Sequence, residues 1–129
     1  MLPAFRPTGS IAQAASAGRS VTLAIPTPPS INHAWANKSR GRTRTKAYEA
    51  WIEEAGWRVN LQHPGHIGGR VEIEIGISRI VNADVDNRIK ATLDLLTKMG
   101  VIDDDKHVEK VSAEWRDDIV GAVVVVRAA

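Results

Sequence analysis

The chain reads as a single α+β domain, with two helices packed on a mixed β-sheet of about four strands in the order β-α-β-α-β-β. Three observations predict this. A length of 129 residues leaves room for one modest core. Four short stretches alternate apolar with polar residues or run β-branched, and two longer stretches repeat apolar residues every three or four positions. No internal repeat interrupts that order.

Ser20 to Ile25 sets Val21, Leu23 and Ile25 against small or polar neighbours, the period of a half-buried strand, and Pro26, Pro28 and Pro29 stop it in an extended exit. Ser30 to Thr43 has no period, is rich in Asn, Ser, Gly and Arg, and is expected to be a long loop of the kind that often carries function. From about Thr45 to Asn60, Tyr48, Trp51, Ile52, Ala55 and Val59 recur at helical spacing with Glu49, Glu53, Glu54 and Arg58 opposite. Glu54 and Arg58 form a favourable i, i+4 pair, and His63-Pro64-Gly65 ends the helix. Arg70 to Ile80 is the most regular alternation, with Val71, Ile73, Ile75 and Ile77 against Glu72 and Glu74. Residues 86 to 99 give Ile89, Leu93 and Leu96 at i, i+4 and i+7, with Asp86 or Asn87 placed to cap the start and Gly100 as the stop. Val108 to Trp115 alternates again, and Ile119 to Val126 is apolar enough for an interior strand. Asp117-Asp118 between them predicts a tight hairpin. Trp51, Trp57 and Trp115 are assigned to the core.

Residues 1 to 19 hold two arginines, no acid and many Ala, Ser and Gly residues, and read as a flexible extension rather than a transit peptide. Cysteine is absent, so disulfides and thiolate metal sites are excluded and any metal must be held by oxygen or imidazole. No apolar run approaches membrane-spanning length, and a cytoplasmic location is expected.

The net charge of +2 conceals an uneven distribution. Residues 19 to 70 carry eight basic and three acidic side chains, whereas residues 71 to 129 carry eight basic and twelve acidic. The basic peak is Lys38, Arg40, Arg42, Arg44 and Lys46, with no acid among them and with Ser, Gly and Thr interspersed. A nucleic-acid backbone is the expected partner of that segment, with Trp35 available to stack on a base. The bland alternative is a solvated loop.

The acids gather around the second helix: Asp84 and Asp86 at its start, and Asp103-Asp104-Asp105 past its end. Two carboxylates about 4 Å apart repel by roughly 4 kcal/mol at an effective dielectric near 20, so a converged cluster needs protonation or a cation. A hard divalent ion meets that need. Lys90 lies four residues after Asp86 and four before Asp94, on the helix side away from Ile89 and Leu93, where it can reach a phosphate oxygen. Taken singly, Asp86 is more simply a cap, Lys90 its ion-pair partner and the Asp triplet a polar turn. Together they supply more acids than capping requires. A calcium EF-hand is excluded, because Arg88 and Ile89 fall where that loop needs a ligand and a glycine. His33, His63, His66 and His107 show no metal-ligand spacing.

These residues resemble the RusA family of Holliday junction resolvases. The resemblance rests on Pro28-Pro29-Ser30 with Asn32, on Arg40-Gly41-Arg42-Thr43 before the first helix, and above all on Asp84-x-Asp86-Asn87-x-x-Lys90. Asp94, Leu96-Thr97-Lys98 and Asp104-Asp105 follow in register, and the similarity spans roughly residues 20 to 127. The segment before residue 20 and the third acid, Asp103, depart from the pattern. The resemblance implies that residues 20–129 form an endonuclease domain of recombination and repair. It implies that Asp84, Asp86 and Asp105 are the catalytic, metal-binding acids for Mg2+ or Mn2+, with Asp104 as the adjacent alternative, and that Lys90 is the catalytic lysine. A homodimer would cut two opposed strands of a four-way DNA junction, leaving 5′-phosphate and 3′-hydroxyl ends. Its DNA contacts are expected from Asn32, Trp35, Lys38, Arg40, Arg42, Arg44 and Lys46, and its dimer surface from the apolar strands or Trp115. The rivals are a nucleic-acid-binding module with structural acids, and a phosphatase acting on small phosphoesters, which leaves the basic segment without a role.

Overall fold

The computed structural model describes residues 19–30, 35–38 and 41–129. Strand β1 (Ser20–Ile25) buries Leu23 and Ile25 and pairs antiparallel with the last strand. The following segment was expected to be a loop throughout, but it contains two four-residue strands, β2 (Trp35–Lys38) and β3 (Gly41–Arg44), paired as an antiparallel ribbon apart from the main sheet. At four residues each, these strands are too short for an alternation to show as a period in the sequence.

Helix α1 (Lys46–Leu61) starts where Thr45 accepts a hydrogen bond from the Tyr48 N–H at 3.2 Å. Its buried stripe is Tyr48, Ile52, Ala55, Gly56 and Val59. At its end the Gln62 amide bonds both backbone groups of Ala24, accepting from N–H at 2.9 Å and donating to C=O at 2.7 Å. Trp57, expected in the core, is 64% exposed. It follows Gly56 on the turn of the helix, one position beyond the buried stripe. Trp51 and Trp115 are half-buried against the core, and the Trp51 indole donates to the Pro26 carbonyl at 3.2 Å.

Strand β4 (Val71–Ser78) lies inside the sheet, with Val71, Ile73, Ile75 and Ile77 all buried. A 3-10 turn (Asp86–Arg88) leads into helix α2 (Ile89–Lys98), which ends at Gly100 with φ +72°. Neither Asp86 nor Asn87 caps it: neither the turn nor α2 has a side-chain cap. A second 3-10 turn (Asp105–His107) precedes β5 (Val108–Arg116), which runs parallel to β4, so β4-α2-β5 is a crossover unit.

The hairpin expected between β5 and β6 (Ala122–Ala128) does not form. The sheet order is β1-β6-β4-β5, with β6 inserted antiparallel between β1 and β4. Five consecutive buried residues, Ala122 to Val126, need cover on both faces and a strand on either side, which an edge position cannot supply. The connection passes the end of β4 through Gly121, whose φ of +74° and closeness to Ile25 exclude a side chain: a Cβ would lie 2.7 Å from the Ile25 carbonyl oxygen. The Ser78 N–H donates to the Gly121 carbonyl at 2.8 Å, and Arg79 pairs with Asp117.

Both helices cover one face. Leu23, Ile75 and Val124 are register partners across three strands and share one core with Tyr48, Ile52, Leu95 and Leu96. Each such buried aliphatic side chain contributes about 1.5–3 kcal/mol by leaving water. On the opposite face Val123 and Val125 form a small separate cluster with Ile119. The order of elements thus follows the expected α+β plan, with the ribbon added.

Candidate active site

Strand β4 hands the chain to an exposed turn containing Asn82 at φ +59°, which delivers Asp84 to the head of α2. Asp84 is exposed and accepts a hydrogen bond from the Asn87 amide at 3.3 Å. Asp86 is exposed at the start of the 3-10 turn, and among the described residues its carboxylate pairs with no side chain. Arg88 points back across the fold and donates to the Pro28 carbonyl at 2.7 Å, tying the proline-rich exit of β1 to the same helix head.

Lys90 sits in the first turn of α2, and its ammonium lies 2.5 Å from Asp105 Oδ2 and 3.1 Å from Asp94 Oδ1. The Tyr48 hydroxyl of α1 donates to the other Asp94 oxygen at 3.0 Å. The hydrogen bond to Asp105, reinforced by Asp94, raises the Lys90 pKa above its ordinary value, so the amine stays protonated at neutral pH. The same bond, helped by Asp104, holds the Asp105 carboxyl below the usual carboxylate range. Lys90 therefore pairs with Asp94 and Asp105, and not with Asp86 as its spacing also allowed.

The three consecutive acids have three separate attachments. Asp103 receives the Gly69 N–H at 2.9 Å and faces His66 Nε2 at 2.8 Å, and these contacts, the Gly69 bond first, lower its pKa. It fastens the segment before β4, where Ile67 bridges Ile102. Asp104 caps the second 3-10 turn by accepting the Lys106 N–H at 3.1 Å. Asp105 alone of the three reaches Lys90.

Among the described residues no group of three or more Asp, Glu or His side chains is arranged to hold a metal ion. The donor chemistry fits a hard divalent cation all the same. Asp84, Asp86, Asp104 and Asp105 offer only carboxylate oxygens, and Asp84 and Asp86 are exposed with no cation paired to either among the described residues.

Of the expected DNA contacts, Asn32 and Arg40 lie outside the described residues. Trp35 and Lys38 are on β2, and Arg42 and Arg44 on β3, opposite Asn37 and Trp35 respectively. Lys46 opens α1 and is exposed. No described helix is long and apolar enough to cross a membrane.

Two residues of the site were not anticipated. Tyr48 shows only its helical spacing in the sequence, and nothing there couples its hydroxyl to an acid 46 residues away. Arg88 had only its place inside the acidic motif as a signal.

No curated protein sequence matches the chain. The profile of the family described as Endodeoxyribonuclease RusA matches residues 26–127, which takes in β2, β3, both helices, the Asp84 to Lys90 motif and the Lys90–Asp105 pair. With all but the first strand and the termini inside that match, the chain belongs to the RusA family of endodeoxyribonucleases.

Proposed function

We propose that this chain is a divalent-metal-dependent endodeoxyribonuclease that resolves four-way DNA junctions as a homodimer, nicking two opposed strands and leaving 5′-phosphate and 3′-hydroxyl ends. The observation that carries the reading is Lys90, held 2.5 Å from Asp105 inside the acidic motif that the family match covers. Asp84, Asp86 and Asp105 are the residues to hold Mg2+ or Mn2+, and Asp104 is the adjacent donor. Held by these carboxylates, such an ion would supply neutralisation of the scissile phosphate and activation of a water.

The chain's own groups do the rest. Lys90, protonated at neutral pH, acts as a fixed positive charge and not as a base, and it stabilises the charge that develops on the phosphate oxygens. Asp94, steadied by Tyr48, is a second carboxylate that keeps the ammonium in place. Lys38, Arg40, Arg42, Arg44 and Lys46 neutralise backbone phosphates of the arms, and Asn32 and Trp35 contact the DNA beside them. Arg88 links the segment leading to that ribbon with the helix that carries Lys90.

The test is a labelled synthetic four-way junction incubated with the protein and Mg2+, with EDTA, and with Asp84→Asn. Symmetric nicks in the first lane alone support the reading. Uncut DNA in every lane with binding retained identifies a binding module, and turnover of a small phosphoester without DNA binding identifies a phosphatase.

A further inference from the structure

Pro26, Pro28 and Pro29 have no backbone N–H, so along this stretch the carbonyls are the main groups by which the backbone can be held. Donors from the two helices take two of them. The Trp51 indole of α1 donates to the Pro26 carbonyl at 3.2 Å, and Arg88 Nη1 donates to the Pro28 carbonyl at 2.7 Å. Pro28 is itself buried, which makes its carbonyl costly to leave unpaired.

Arg88 is a charged side chain committed to a neutral acceptor. It is half-buried, its Nε is buried without a partner among the described residues, and Nη1 turns to Pro28 although Asp84 and Asp86 stand in the same turn. An aliphatic side chain would avoid the cost of that unpaired N–H. What the guanidinium supplies instead is a strong, ionised donor with reach. The Arg88 backbone opens α2, two residues before Lys90, and its carbonyl accepts the buried Thr92 hydroxyl at 3.1 Å, while its head meets a segment 60 residues away in the chain. Pro28 lies seven residues before Trp35, where β2 begins. One side chain thus connects the lead into the basic ribbon with the turn between Asp84 and Lys90.

We infer that Arg88 is a positioning residue: by holding the Pro28 carbonyl it fixes the register between DNA gripped by the basic ribbon and the phosphate that Lys90 meets. This rests on the proposed nuclease function and adds to it a residue that acts on the cut position without touching DNA. Successive nucleotides of a duplex strand advance about 3.4 Å along the axis, so a slip of only that size between ribbon and helix would bring a neighbouring phosphate to Lys90. A planar guanidinium, which loses little freedom on making its bond, opposes such a slip better than a flexible amine.

The experiment is single-turnover cutting of an end-labelled four-way junction with Mg2+ by the wild type, Arg88→Met, Arg88→Gln and Arg88→Lys, with cut positions read at nucleotide resolution and affinities measured alongside. Met has no donor and the Gln amide is too short to reach Pro28, so both variants should spread the cuts over phosphates adjacent to the wild-type position and slow cutting at least about tenfold, with affinity within about threefold of wild type. Lys can donate to the same carbonyl and should restore the wild-type position. Only folded molecules cut, so a loss of stability reduces the amount of product and leaves its position alone; Arg88→Gln carries the test if Arg88→Met does not fold. Wild-type position and rate in Arg88→Met or Arg88→Gln overturn the positioning role. An unchanged position with weaker binding and a flatter salt dependence overturns it too, and makes Arg88 a phosphate contact. A junction left uncut by every chain, the wild type included, overturns the nuclease function, and hydrogen exchange of residues 27–38 then judges the tie by itself: faster exchange in Arg88→Met supports it, and unchanged exchange overturns it.

Discussion

The Tyr48 hydroxyl donates to the Asp94 carboxylate at 3.0 Å, joining the buried face of α1 to the acid that also holds Lys90. Removing that hydroxyl in Tyr48→Phe should lower stability by about 1 kcal/mol, the usual net value of such a bond. Cutting should slow modestly, because Asp94 stays beside Lys90 with one partner fewer. Urea unfolding alongside single-turnover cleavage measures both. Stability equal to wild type would show that the bond contributes nothing.

Lys90→Ala should reduce junction cutting by about 100-fold or more while junction affinity changes less than about threefold, as expected of a charge used in the transition state. Gel-shift titration and single-turnover rates separate the two effects. A parallel collapse of affinity would instead make Lys90 a binding residue.

Asp103 is ionised in the fold with a depressed pKa, set first by the Gly69 N–H and then by His66. Its unfolded value is about 3.9, so its contribution to stability is complete above roughly pH 5 and disappears as pH falls through the lower folded value. As pH falls below about 5 the wild type should therefore lose more stability than Asp103→Asn, which cannot titrate. Superimposable pH profiles in thermal unfolding would exclude the effect. Cutting by the variant at neutral pH should retain its Mg2+ dependence, because Asp103 faces His66 and Gly69 rather than Lys90.

Neutralising Arg40, Arg42 and Arg44 together should flatten the slope of log affinity against log salt by up to about 3, near one unit for each phosphate that is no longer neutralised. Binding titrations from low to moderate salt give that slope. An unchanged value would remove the β2–β3 ribbon from the DNA surface.

Gly121→Ala should destabilise the fold by more than about 1 kcal/mol, since it places a Cβ at positive φ and against the Ile25 carbonyl. Denaturant midpoints test this. A neutral result would mean that the turn between β5 and β6 can take another path.

Where periodicity is local, the sequence was legible. Val71 to Ile77 alternates because one face of β4 meets both helices, and Tyr48, Ile52, Ala55 and Val59 recur because α1 buries a single stripe. The i, i+4 relation of Lys90 and Asp94 could likewise be read from spacing alone. Trp57 was misplaced because one residue of helical rotation separates a buried position from an exposed one, and residue type does not report that angle.

The sequence by itself determined the α+β class, the order of the main elements, the basic and acidic halves, and the family to which the Asp84 to Lys90 motif belongs. The tertiary structure decided which strands are neighbours, placing β6 between β1 and β4, and which of three consecutive acids meets Lys90. The division has a physical origin. Helices and single strands are specified by contacts a few residues apart, whereas strand order and the Lys90–Asp105 pair depend on distant segments brought together by burial of a shared core.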